Sequence, residues 1–167
     1  MTDYYKKGTI EDIVELRKNG LIPMECRAYF KDMLKALFYC HKTVEVFHRD
    51  IKPANIVIDH DNSAVLIDFG LSSIRDSDFL KHAEGSLQYY APEMFTHAMD
   101  KDQVLLGEKV DIWALGITLF YMTLGKTPFE SAGKKGTIQA KMKLRDLIVD
   151  GNIDFDEIVD YELRELL

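Results

Sequence analysis

Cysteine, proline and tryptophan are all scarce in this sequence. Of its 167 residues, two are cysteine, four are proline and one is tryptophan. Cys26 and Cys40 show neither a CxxC nor a Cys/His spacing, so the sequence indicates no disulfide framework and no zinc site, although a single bridge between the two stays open. Reduced thiols fit this pattern better, and they predict a cytoplasmic location.

Long apolar runs and an excess of basic residues are also missing. No stretch approaches the roughly 18 consecutive apolar residues that span a bilayer, and no apolar run follows the lysines near the start. The 28 acidic residues outnumber the 21 basic ones, so the formal net charge is −7 and no surplus of positive charge is present to neutralise phosphates. We therefore expect neither a membrane protein nor a nucleic-acid-binding protein.

The acidic surplus belongs to one end of the chain. Residues 146–167 hold 8 of the 28 acidic residues and 1 of the 21 basic ones, which leaves 20 of each in residues 1–145. Such a segment could be a docking surface for a basic partner. A solvated helix face is the commoner explanation of the same pattern.

The apolar pattern predicts a single compact unit that is mainly helical and carries one small β-hairpin. Helical spacing is present at three places: residues 24–42, 108–124 and 137–149. The second of these is apolar on nearly every side, which predicts the buried centre of the fold. The triplets Ile56–Ile58 and Val65–Ile67 flank a polar turn and predict the hairpin. Residues 71–90 follow neither period and predict a long loop.

Three motifs occur in a fixed order around the predicted hairpin. They are His48-Arg49-Asp50 with Lys52 and Asn55, then Asp68-Phe69-Gly70, then Ala91-Pro92-Glu93. In order and spacing they resemble the catalytic loop, the metal-binding motif and the closing motif of eukaryotic protein kinases. Lys52, two places after Asp50, and Ser86, just before the closing motif, are typical of the serine/threonine branch of that family.

The resemblance implies a fold. Residues 1–167 are identified as a partial kinase domain, the helix-rich large lobe without the small lobe, with a hinge-like start at residues 3–5 and an end before the last helices. The glycine-rich strand pair of the family, and the lysine that grips the phosphates, have no counterpart in the sequence. We therefore expect the 167-residue chain alone to be inactive.

The resemblance also implies roles for the motif residues in phosphoryl transfer from ATP to a serine or threonine of a protein substrate. Asp50 is the expected acceptor of the hydroxyl proton, and Lys52 the cation near the moving phosphate. Asn55 and Asp68 are the expected ligands of Mg²⁺, which prefers hard oxygen atoms. Val57 is expected beneath the adenine.

A second group of residues is expected to support this site. Arg49, Ser86 and Glu93 belong to the activation segment or contact it in relatives. The resemblance also implies that His48 and Phe69 pack in a hydrophobic column that joins the two lobes, and that Asp111 braces the catalytic loop.

The sequence leaves a second function open: a pseudokinase or scaffold that keeps the surface of the large lobe as a binding module without catalysis. The intact set Asp50, Asn55 and Asp68 favours the enzyme, whereas the missing lobe favours the scaffold. Within the family, HRDIKPANIVI and DIWALGITLFYMTLGKTPF resemble the calcium/calmodulin-dependent kinase-kinase neighbourhood.

Overall fold

A computed structural model describes residues 7–72, 87–97, 107–129 and 137–167 of the chain. Within these ranges the fold is mainly helical, with one two-stranded antiparallel sheet, as predicted. The helices are α1 (Ile10–Arg17), α2 (Pro23–Tyr39), α3 (Pro92–His97), α4 (Gly107–Leu124), α5 (Ile138–Asp150) and α6 (Tyr161–Arg164); the strands are β1 (Ile56–Ile58) and β2 (Ala64–Leu66). None of the helices described is both long and apolar enough to cross a membrane.

Helix α4 is the buried centre that its sequence predicts. Most of its residues are buried, and Leu119 and Met122 are fully enclosed. Helix α2 packs along it through one apolar face that includes Met33 and Leu37. The chain between α1 and α2 closes onto the end of α4, where the Leu21 N–H donates to the carbonyl oxygen of Met122 at 2.6 Å.

The predicted hairpin forms between β1 and β2. Ile56 pairs with Leu66, and the strands are antiparallel. The Asp59 carboxylate closes the turn, because its Oδ1 atom accepts the N–H groups of Asp61 and Ser63 at 2.9 Å each. Asp32 of α2 accepts the Ala64 N–H at 3.2 Å, so the helix is bonded directly to the first residue of β2.

The helix predicted over residues 24–42 has a different end in the structure. The α-helix stops at Tyr39, and Cys40–Val44 form a π-helical turn. The carbonyl oxygen of Cys40 accepts the Val46 N–H at 2.9 Å, and Glu45 leaves the turn in the left-handed conformation. This wider turn leads directly into the segment that carries the first motif.

The acidic end packs back onto the helices through ion pairs. Arg27 of α2 contacts Asp160 at 2.9 Å and Glu162 at 3.2 Å, and the Asp160 carboxylate also caps α6 by accepting the Leu163 N–H. Lys126 contacts Glu157 at 2.6 Å. Part of the acidic surplus is therefore matched by basic residues of the same chain, and docking of a basic partner stays a prediction.

Candidate active site

The loop that contains His48, Arg49 and Asp50 is bonded to the centre of the fold by Asp111. This aspartate lies in the first half of α4 and has no exposed surface. Its Oδ2 atom accepts the His48 N–H at 2.8 Å, and its Oδ1 atom accepts the Arg49 N–H at 2.7 Å. Arg49 has a positive φ of 69°, a backbone conformation that a non-glycine residue rarely adopts. The buried carboxylate thus holds the loop in a conformation that the loop alone would disfavour.

Asp50 lies at the centre of a small polar group. Its Oδ2 atom accepts a hydrogen bond from the Lys52 ammonium at 2.7 Å and another from Asn55 Nδ2 at 2.8 Å. The same Asn55 amide also donates to the backbone oxygen of Asp50 at 2.8 Å. Pro53–Asn55 form a single 3₁₀ turn, which brings residue 55 back over residue 50. The carboxylate is therefore oriented while a positive charge lies beside it.

Asn55 and Asp68 are brought together by the hairpin. The two residues are 13 positions apart in the chain. The Ile67 N–H donates to the backbone oxygen of Asn55 at 2.9 Å, which sets Asp68 one residue beyond this bond. Asp68 has a φ of 62°, and its Oδ1 atom accepts the Gly70 N–H at 3.1 Å.

The donor set of these two residues fits a magnesium ion. Both Asn55 Nδ2 hydrogens are directed at Asp50, which leaves the amide oxygen of Asn55 to serve as a ligand, and Asp68 contributes a carboxylate. Magnesium in phosphate-transfer sites is held by few protein oxygen atoms and completes its octahedron with phosphates and water. No group of three or more His, Cys, Asp or Glu side chains in the described ranges forms a metal cage of its own.

His48 is fully buried and bonded at both ring nitrogens. Its Nδ1 atom accepts the Asp50 N–H at 3.3 Å, so its Nε2 atom carries the proton and donates to the carbonyl oxygen of Ile67 at 3.0 Å. Burial lowers the pKa of the imidazole, which favours this neutral form. The ring of Phe69 meets that of His48 edge to face, with 4.7 Å between centroids. The imidazole therefore connects the loop at His48–Asp50 to the segment after β2.

Of the remaining predicted site residues, the structure describes Val57 and Glu93. Val57 is buried in β1, whose other neighbour is Thr9. Glu93 lies in the first turn of α3 and, with Lys109 and Trp113, lines an apolar cavity of about 390 Å³ that none of Asp50, Lys52, Asn55 and Asp68 lines. Ser86 and the hinge-like start at residues 3–5 lie outside the described residues.

Two residues near the loop were not predicted. His41 Nε2 lies 2.8 Å from Asp111 Oδ2. His41 follows Leu37, a buried residue of α2, by four positions, and this helical spacing is a signal present in the sequence. Burial and the neighbouring charge of Glu15 raise the pKa of Glu11 in α1, and the nearby Lys52 ammonium opposes this rise. The start of α1 is marked by a capping box between Thr9 and Asp12.

Comparisons with known proteins find relatives of this chain. The family model described as "Protein kinase domain" matches residues 1–167. A carbon catabolite-derepressing protein kinase of Secale cereale is 34% identical over 89% of this chain and 30% of its own length. A probable serine/threonine-protein kinase KIN1 homolog of Encephalitozoon cuniculi is 34% identical over 99% of the chain and 27% of its own length. The SNF1-like protein kinase ssp2 of Schizosaccharomyces pombe is 35% identical over 75% of this chain and 21% of its own length. The chain thus spans less than a third of the length of these relatives.

Proposed function

Because the chain belongs to the eukaryotic serine/threonine protein kinase family, we propose that it forms the large lobe of an enzyme that transfers the γ-phosphate of ATP to a serine or threonine of a protein. One observation carries the proposal: the Asp50 carboxylate is oriented by Lys52 and Asn55 within a loop that Asp111 holds in place. Phosphoryl transfer depends mainly on positioning and on neutralising charge, and this group provides both.

Each residue has a task in this reaction. Asp50 accepts the proton of the substrate hydroxyl while the hydroxyl oxygen bonds the γ-phosphorus and the bond from that phosphorus to ADP breaks. Lys52, whose ammonium lies 2.7 Å from that carboxylate, adds positive charge where the phosphate moves. Asn55 and Asp68 would hold magnesium, which supplies charge to the phosphate oxygens when it is bound. Val57 provides an apolar surface for the adenine.

The supporting residues act on this group through the backbone. Asp111 fixes His48 and Arg49, and His48 links Asp50 to Ile67, next to the proposed metal ligand Asp68. Arg49, Ser86 and Glu93 are proposed to act through the activation segment. The substrate is then a protein with an accessible serine or threonine, and the place of action is the cytoplasm.

The 167-residue chain alone is proposed to bind nucleotide weakly and to transfer phosphate at no useful rate. In the described part of the chain, the residues assigned to the nucleotide, Asn55, Val57 and Asp68, come from the 3₁₀ turn, the hairpin and the segment after it. They offer one wall of a cleft, so a bound nucleotide would be held from one side only.

A nucleotide titration of this chain tests the assignment. We would follow the backbone amides of the hairpin by NMR as magnesium-ATP is added up to millimolar concentration. Asp68→Asn is expected to weaken binding at least tenfold, because a carboxylate ligand is lost. Asp50→Asn is expected to leave the affinity within about twofold, since Asp50 meets the hydroxyl and not the metal.

The control variant is Asp61→Asn, which removes a carboxylate that is 78% exposed in the turn of the same hairpin. It should behave as wild type. Equal losses for Asp68→Asn and Asp61→Asn would show that only the general charge of the hairpin attracts magnesium. Absence of any shift on addition of nucleotide would contradict the proposed site and would favour a scaffold that does not bind ATP.

A further inference from the structure

We propose that Asn19 is a site of spontaneous deamidation, at which the folded chain forms a succinimide ring with the backbone nitrogen of Gly20. Asn19 is exposed and lies in the connection between α1 and α2. Gly20 follows it directly, and because glycine has no Cβ, its nitrogen is open to bonding with the preceding side chain. The proposal concerns the chemistry of the chain itself and does not rest on the proposed function.

The reaction is a substitution at the side-chain amide, followed by hydrolysis. The Gly20 nitrogen gives its proton to water or hydroxide and bonds Cγ of Asn19, while the bond from Cγ to the amide nitrogen breaks and ammonia leaves. Water then opens the ring at one of its two carbonyl carbons. Cleavage of the new bond to Cγ gives aspartate. Cleavage of the original bond to the backbone carbonyl carbon gives isoaspartate, in which the main chain continues through Cγ.

Hydrogen bonding at Asn19 and Gly20 does not oppose this reaction. Within the described ranges, the Asn19 side-chain amide makes no hydrogen bond, and no oxygen atom accepts the Gly20 N–H. Gly20 is buried, and a buried N–H without an acceptor is unfavourable. The ring nitrogen of a succinimide carries no hydrogen. Ring closure at Asn19 therefore removes an unpaired donor and breaks no hydrogen bond.

Asn62, in the turn of the hairpin, provides a comparison within the same chain. It is also exposed and also precedes a small residue, Ser63. Here, however, the Ser63 N–H donates to Asp59 Oδ1 at 2.9 Å, and Asn62 Oδ1 accepts the Lys7 ammonium at 2.5 Å. Ring closure at Asn62 would break the first bond and move the side chain out of the second. We therefore expect folding to protect Asn62 much more than Asn19.

The isoaspartate product would disturb the contact of this connection with α4. A Cβ at Gly20 would lie 2.3 Å from the backbone oxygen of Thr123, so the two backbones are close together. The next N–H, that of Leu21, donates to the carbonyl oxygen of Met122 at 2.6 Å. Isoaspartate adds a CH₂ group to the main chain directly before this contact, which displaces Gly20 and Leu21 relative to α4. Aspartate changes only the charge of an exposed side chain.

Ageing of the 167-residue chain at neutral pH tests the proposal, with the same chain in concentrated guanidinium chloride as the unfolded reference. Peptide mapping by mass spectrometry measures amide loss at Asn19 and at Asn62, and separation of the isomeric peptides identifies isoaspartate. The rate in the unfolded chain divided by the rate in the folded chain gives the protection of each site. Protection of Asn62 is expected to exceed that of Asn19 at least about tenfold, and isoaspartate is the expected main product at Asn19. Protection of Asn19 equal to or greater than that of Asn62, or aspartate without isoaspartate, would overturn the inference.

Two variants test the cause of the difference. Asp59→Ala removes the acceptor of the Ser63 N–H and is expected to speed amide loss at Asn62 at least about fivefold, with the Asn19 rate within about twofold of wild type. An unchanged Asn62 rate would contradict the protection assigned to that bond. Asn19→Asp adds the charge without lengthening the main chain. The Leu21 amide of the purified isoaspartate form should exchange its hydrogen at least about threefold faster than in Asn19→Asp, and equal rates would contradict the displacement from α4.

Discussion

Replacement of Asp111 is expected to lower the free energy of unfolding strongly, although few atoms change. In Asp111→Asn, one of the two carboxylate oxygens becomes an NH₂ group while the volume stays nearly constant. The side chain is fully buried and accepts hydrogen bonds from His41, His48 and Arg49. If the NH₂ group takes the Oδ1 position, the Arg49 N–H faces another donor. If it takes the Oδ2 position, the donors of both His41 and His48 lose their acceptor.

The magnitude follows from these bonds. A hydrogen bond to a charged group contributes about 1.5–3 kcal/mol, and a buried donor left without an acceptor costs about 1–3 kcal/mol. Loss of one such bond at a fully buried site predicts a decrease of roughly 3 kcal/mol in the free energy of unfolding. That is a large part of the roughly 5–15 kcal/mol that stabilises a typical domain.

Urea unfolding followed by circular dichroism measures this decrease, with Glu108→Gln as the matched control. Glu108 lies on the same helix and binds Lys42 of the same π-helical turn, but it is exposed. Its replacement should leave the midpoint nearly unchanged, because surface ion pairs contribute little. A decrease below about 1 kcal/mol for Asp111→Asn, or one no larger than that of the control, would refute the argument that this carboxylate anchors the loop.

Three further outcomes follow from burial and backbone geometry. Burial lowers the pKa of His48 below its usual 6.5, so on acidification the unfolded chain takes up a proton before the folded chain does. The free energy of unfolding should therefore be at its full value above about pH 6.5 and decrease below that pH. An NMR titration midpoint for His48 above 6.5 would contradict this. Burial raises the pKa of the Cys26 thiol to about 11, so it should react with a disulfide reagent at pH 8 far more slowly than a free thiol, and rapid reaction in the folded state would contradict its burial. Gly20→Ala should destabilise the fold more than Gly151→Ala. Both glycines have positive φ, but only a Cβ at Gly20 would clash, because it would lie 2.3 Å from the backbone oxygen of Thr123. Equal thermal midpoints of the two variants would contradict that close approach.

Local pattern was sufficient to predict the central helix and the hairpin. Helix α4 was predicted over 108–124 and is found over Gly107–Leu124, because an apolar run of this length can be satisfied only by burial. The second strand was predicted over Val65–Ile67 and is found over Ala64–Leu66; the pairing of Ile58 with Ala64, next to the turn that Asp59 closes, moved it by one residue. Strand ends depend on pairing partners, which a single strand does not show.

The end of α2 could not be predicted from local pattern. A helix over 24–42 satisfies the local apolar spacing, but the π-helical turn depends on contacts with Asp111 and Glu108, about 70 residues later. Helices α1 and α3 were missed for a related reason, since they are short and rely on capping and on tertiary packing more than on periodicity.

The motifs indicate which residues to consider for the candidate site, but they do not indicate its geometry. The 3₁₀ turn brings both Lys52 and Asn55 to Asp50 Oδ2. The register of the hairpin places the Ile67 N–H against the backbone oxygen of Asn55. The resemblance to a subfamily, the catalytic roles and the role of Ser86 stay predictions.

The transfer step itself provides the most direct test of the account. We would join this chain to the small lobe of a serine/threonine kinase relative and measure phosphate transfer from labelled ATP to a mixed peptide library, together with nucleotide affinity. Asp50→Asn is expected to slow transfer at saturating nucleotide at least about 100-fold, with magnesium-ATP affinity within twofold, because removal of a general base affects the chemical step. Transfer by Asp50→Asn within a few-fold of the unmutated fusion would contradict the claim that Asp50 is the proton acceptor of a working kinase site.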